Sequence, residues 1–93
     1  MTATQPARGT QLTILAEADP LVFVRVLHMI GSLNLIPLKA TSELIDDAAI
    51  RIELELPLHE RLRYEFFRKR VLTIPTVISL HDGRKAQAVE KSD

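Results

Sequence analysis

"AAIRIELEL", residues 48 to 56, alternates more cleanly than any other stretch of this 93-residue chain. Ala48, Ile50, Ile52 and Leu54 fall on one side of an extended backbone, and Arg51, Glu53 and Glu55 on the other. Successive side chains of a strand point to opposite faces, so this strand has one dry face and one wet face. That is the pattern of an antiparallel sheet covered on one side; strands of parallel sheets, buried on both faces, read as continuous apolar runs.

Upstream, "QLTILA" (11–16) places Leu12, Ile14 and Ala16 on one face and Leu15 on the other, as in a mostly buried strand. Asp19-Pro20 marks a helix start, a carboxylate for free amides followed by a residue whose fixed φ suits the first turn. The helix is predicted from Pro20 to about Ser32, with Phe23, Leu27 and Ile30 on one stripe and Val22, Val26 and Met29 beside it. Asn34 is the expected left-handed stop. "LIPLKATSEL" has no helical stripe and predicts a second strand from Leu35 to Glu43, with "IDDA" as the turn into the alternating strand.

Downstream, Pro57 precedes a second predicted helix, about Leu58 to Arg70, with Leu62, Phe66 and Phe67 as its core side. "IPTVISL" (74–80) predicts the fourth strand. The order β-α-β-β-α-β is that of an α+β, ferredoxin-like sandwich: four antiparallel strands with two helices on one face. Its second and fourth strands lie at the edges, where proline is tolerated, and Pro37 and Pro75 fall in those two predicted strands. Residues 1–10 read as a flexible N-terminal arm, 11–80 as one ordered domain, and 81–93 as a flexible C-terminal tail.

Composition narrows the function classes. The chain is 46% hydrophobic and 26% charged, which is ordinary globular material for one small domain. With no cysteine it has neither disulfides nor thiolate metal cages, so packing against a second copy or a larger partner is the natural support for so small a core. Twelve basic and twelve acidic residues balance, which argues against general affinity for nucleic acid or anionic membrane. No apolar run approaches the ~20 residues of a transmembrane helix, and "MTATQPARGT" lacks a signal-peptide core. A cytoplasmic location is expected.

The candidate catalytic features are sparse. "HERLR" at His59 has Arg63 where a zinc-binding HExxH motif needs its second histidine. His28, His59 and His81 fall on three different elements and read as surface or capping residues. Asp46 and Asp47 read as turn residues. The basic run Arg61, Arg63, Arg68, Lys69 and Arg70 invites comparison with RNA-binding βαββαβ modules, which stack bases on aromatics of their central strands. Here the open face offers Arg51, Glu53 and Glu55 and no aromatic, so the run reads as the wet side of a helix. No catalytic residue and no metal site are assigned, and a small ferredoxin-like enzyme is disfavoured for want of an acid, base or nucleophile constellation.

"LTILAEADPLVFVRVLHMIGSLNLIPLKATSE" (12–43) followed by "AAIRIELEL" resembles an ACT domain. Within that family it looks closest to the short form of the small regulatory subunit of acetohydroxyacid (acetolactate) synthase. The resemblance covers about Gln11 to Leu80 and rests most on "RVL" at 25–27 and the break at Asn34-Leu35. It implies a non-catalytic subunit that raises the activity of a separate, large catalytic chain of branched-chain amino-acid biosynthesis. It implies no cofactor on this chain; thiamine diphosphate, Mg and FAD would sit on that partner.

ACT domains typically pair side by side through edge strands. A small amino acid then lies between the N-terminus of the first helix of one copy and the second strand of the other. A glycine and two asparagines of the family pattern serve that pocket, and this chain has Leu21 in place of the glycine and Ala18 and Ile36 in place of the asparagines. With Asp19 and Pro20 these residues predict a pocket filled by protein, unresponsive to valine. The predicted interface comprises Leu21, Val24, Leu35, Pro37, Lys39 and Thr41, with homodimerisation through the second strand. The alternative is a stand-alone ACT homodimer that senses another small metabolite, for which a polar pocket would be required.

Overall fold

The alternating stretch pairs on both sides. In the computed structural model, which describes residues 9–57, 61–82 and 87–90 (the last by backbone alone), strand β1 (Gly9–Glu17) lies antiparallel to β3 (Ala49–Pro57) with Ile14 opposite Ile52. Strand β2 (Lys39–Asp46) flanks β3 through a hairpin, and β4 (Val77–Asp82) flanks β1. A fifth strand, β5 (Gln87–Glu90), pairs with β4, so the sheet runs β2-β3-β1-β4-β5. The first four strands, with helices α1 (Val22–Ser32) and α2 (Arg61–Val71), make the predicted ferredoxin-like unit.

Pairing sets the faces. Leu12, Ile14 and Ala16 of β1, Ile52, Leu54 and Leu56 of β3, and Leu80 of β4 are buried on one side of the sheet. They meet Val22, Val26 and Ile30 of α1 and Tyr64, Phe67 and Val71 of α2 in one core. Each large aliphatic side chain buried in this way contributes about 1.5–3 kcal/mol relative to exposure. Phe23, Leu27 and Met29 pack half-buried against its rim.

Helix α1 stops as the sequence predicts. Asn34 adopts φ 62°, a left-handed conformation that asparagine tolerates. The N–H of Leu35 donates to the Ile30 carbonyl (3.1 Å) and that of Asn34 to the Gly31 carbonyl (2.9 Å), the bond pair of a Schellman stop. Leu35 then folds back into the core beside Ile30.

The boundaries differ elsewhere for identifiable reasons. Helix α1 begins at Val22 rather than Pro20, because Asp19 and Pro20 form the turn that precedes it. Strand β2 begins at Lys39, not Leu35, since Leu35 is spent on the helix stop and laddering resumes only where the Leu38 N–H donates to Glu55 O (2.8 Å). Ala48 is exposed in the hairpin turn rather than inward on β3. Leu62 and Phe66 point outward, 74% and 56% exposed, and of the three predicted core residues of α2 only Phe67 is buried.

The edge-proline expectation is corrected as well. Pro37 and Pro75 both precede their strands, and Pro57 ends the central β3. At those positions a missing N–H removes nothing from the ladder. Nor is β4 an edge, because β5 covers it. The segment 81–93, expected as a tail, holds the end of β4 and all of β5, and β1 reaches into the expected arm as far as Gly9. The rest of the arm and residues 58–60, His59 among them, lie outside the described residues.

Candidate functional site

The turn between β1 and α1 is held from three directions. The Glu17 N–H donates to Thr76 O (2.8 Å) and the Ala18 N–H to Ala48 O (3.0 Å), which ties the turn to the α2–β4 connection and to the β2–β3 hairpin. Asp19 uses both carboxylate oxygens: Oδ1 accepts the Leu21 N–H (3.0 Å) and Oδ2 accepts the Thr76 hydroxyl (3.2 Å). Its carbonyl accepts the Val22 N–H (3.2 Å). Asp19 thus takes the amides of Leu21 and Val22, in the way aspartate commonly closes a turn on an amide two residues ahead, while Leu21 at the N-cap adds no side-chain cap.

The predicted pocket residues do not meet within one chain. Ala18, Pro20 and Leu21 stand at the start of α1, exposed, with Leu21 54% accessible. Ile36 follows the other end of that helix and is 75% accessible. The eleven residues of α1 separate the two ends by about 16 Å. Leu21 therefore fills no cavity of its own protomer, and any pocket that joins it to an Ile36 takes in a second copy.

Of the predicted interface residues, Leu21, Val24, Lys39 and Thr41 are exposed and Pro37 is half-buried. Leu35 is a core residue, only 4% accessible, and is removed from the interface. Lys39 and Thr41 lie on β2, which ends the sheet. Sequence reasoning named Ile36 as a pocket residue but missed Leu38, Leu44 and Ile45; all four are exposed apolar side chains on or beside this strand. By register Leu44 shares the core side with Ile50 yet stays exposed. Exposed apolar residues along the free edge of a terminal strand mark an association surface.

The opposite face of the sheet is wet and acidic. Lys39, Thr41 and Glu43 of β2 stand across from Glu55, Glu53 and Arg51 of β3. Arg51 donates to Glu43 (2.7 Å) and lies 3.5 Å from Glu53. No phenylalanine or tyrosine of strands β1 to β4 occupies that face, so it lacks the stacking platform of an RNA-binding module. The one phenol of the chain, Tyr64, sits under the sheet and donates to Asp82 Oδ2 (3.2 Å). Burial, and then the adjacent carboxylate, push its pKa well above the ordinary range. Arg68 covers its ring at 5.8 Å and pairs with Glu65. Among the described residues no group of histidines and carboxylates could hold a metal ion, and no helix is long and apolar enough to cross a membrane.

No protein family matches this chain by sequence, and no curated protein does. The solution structure of the C-terminal domain of the MgtC protein from Mycobacterium tuberculosis is similar in fold, with a TM-score of 0.59 at 15% identity. The match covers 90% of this chain and 98% of that one. At that identity the likeness concerns the fold alone.

Proposed function

We propose that this chain is a non-catalytic regulatory domain of the ACT kind, which works in the cytoplasm by contact with another chain. In its most specific form it is the activating small subunit of an acetolactate synthase, dimeric through β2 and unresponsive to valine. The observation that carries the proposal is the apolar border of Ile36, Leu38, Leu44 and Ile45 along the free edge of the sheet. A domain that works by contact keeps such a surface. The internal engagement of the Leu21 amide by Asp19 supports the valine-insensitive form, because a helix start is where an amino-acid carboxylate would bind.

The test mixes the purified chain with a catalytic acetolactate synthase subunit loaded with thiamine diphosphate, Mg and FAD. Acetolactate formation is followed with and without valine, alongside co-elution on a sizing column. The expected result is a rise in activity that valine leaves unchanged, together with a joint peak. A chain that neither co-elutes nor activates, but dimerises and binds a small metabolite by calorimetry, would instead be the stand-alone sensor.

A further inference from the structure

The neutral net charge conceals a segregation. The two helices carry six arginine or lysine residues and a single glutamate. Strands β1 to β3 carry five carboxylates and two cations. The layer of helices is thus basic and the sheet acidic, so the balance of the whole chain says little about what either face attracts.

Between α1 and the end of α2 runs a trough of about 510 Å³. Met29 and Ile74 form its floor, half-buried and buried, and Val24 and Pro75 its exposed shoulders. Arg25, His28 and Arg70 stand along it, and no carboxylate lines it. Neither Arg25 nor Arg70 has an ion-pair partner among the described residues. Nor is the Arg70 side chain needed at the helix end, where its carbonyl already accepts the Thr73 N–H (3.0 Å) and hydroxyl (2.6 Å).

We infer that this trough is the docking groove for an acidic segment of a partner protein that inserts apolar side chains over Met29 and Ile74. The charge lining selects the sign of the occupant, and the floor selects an amphipathic one. Most of the lining is exposed, so a small molecule would stay largely wet there, whereas a laid-in peptide covers the floor along its length. A flat bilayer surface would meet the exposed shoulders before the buried Ile74 of the floor. Single-stranded nucleic acid needs aromatic platforms, and no aromatic residue lines the trough. The inference uses α1, the end of α2 and the turn after it; it shares Val24 with the predicted interface and otherwise stands apart from the synthase proposal, which rests on the β2 edge.

The test titrates the full ¹⁵N-labelled chain with a synthetic amphipathic peptide of leucine and glutamate. A leucine–lysine peptide of the same pattern, phosphatidylglycerol vesicles and oligothymidylate are run in parallel. The leucine–glutamate peptide is expected to shift the amides of residues 24–32 and 70–75 and to bind more weakly as salt rises. R25E/R70E, which changes two exposed side chains and leaves the spectrum dispersed, should weaken it by about tenfold or more. Gln11→Glu, exposed on the far face of the sheet, should leave the affinity within about twofold. Equal binding of the leucine–lysine peptide, shifts confined to the β2 edge, or unchanged affinity in R25E/R70E would overturn the inference. So would vesicles or oligothymidylate shifting these amides while the acidic peptide does not.

Discussion

Two adjacent phenylalanines provide the sharpest test of how α2 is oriented. Phe67 is fully buried in the shared core, while Phe66, one residue earlier, is 56% exposed. Phe67→Ala removes a ring packed by both helices and the sheet and leaves a cavity that the close-packed surroundings fill only in part. Such truncations cost about 3–5 kcal/mol. A domain of this length holds on the order of 5–14 kcal/mol in total, so the variant loses a large share of its stability. At roughly 4–8 °C per kcal/mol for a domain near 100 residues, its melting temperature should fall by at least about 12 °C. Phe66→Ala should stay within about 0.5 kcal/mol of the parent, as surface substitutions do. Urea unfolding followed by circular dichroism measures both, with the same m-value expected for each. Equal losses at the two positions, or a larger loss at Phe66, would show that α2 presents its other face to the sheet.

Three further outcomes follow from particular hydrogen bonds and contacts. Tyr64 is the one tyrosine of a chain without tryptophan, so ultraviolet absorbance reads its ionisation directly. Because folding raises its pKa, the folded state holds the proton more tightly; that contribution is complete below the unfolded value of about 10 and is lost as pH rises above it. Absorbance should therefore show no phenolate at pH ~10.5 in the folded chain, and its appearance at higher pH should coincide with loss of the circular dichroism signal. Asp19→Ala gives up the bonds to Leu21 and Thr76 and should cost about 1–2 kcal/mol in urea, with Asp19→Asn costing less because it keeps an acceptor oxygen. Gly9→Ala would drive a Cβ into the Leu56 carbonyl and against Leu38 Cδ1 at 3.0 Å; a loss of about 1–3 kcal/mol by thermal melting is expected.

The parts of the fold that were legible in the sequence are those where a single period runs unbroken. Arg51, Glu53 and Glu55 alternate with Ile52 and Leu54 without exception, and both faces of β3 are placed as read. Asn34 announced its own conformation because few residues tolerate positive φ. Helix α2 misled because two stripes begin together: Leu62 with Phe66, and Tyr64 with Phe67. The first continues into Lys69, Arg70 and Thr73, whereas the second continues into Val71 and Ile74, and that continuation is the signal that separates them. The stretch 35–38 carries apolar residues of different fates, Leu35 buried in the helix stop and Ile36 and Leu38 exposed beside the edge, which no period encodes. The trough was invisible for a different reason. Arg25 and Arg70 lie 45 positions apart, and only the packing of α1 against α2 makes their charges neighbours.

Asp19 has a consequence that reaches past stability. Its carboxylate is tethered two residues from the amide it occupies, so for any amino acid in solution it is a resident competitor. Even loose tethers present a group at effective concentrations of about millimolar, and a two-residue turn is far shorter than those linkers. A dissolved carboxylate would reach the Leu21 amide only by displacing Asp19 from it. The start of α1 therefore carries, at Leu21, an amide that a ligand could reach only once the tethered acid is gone.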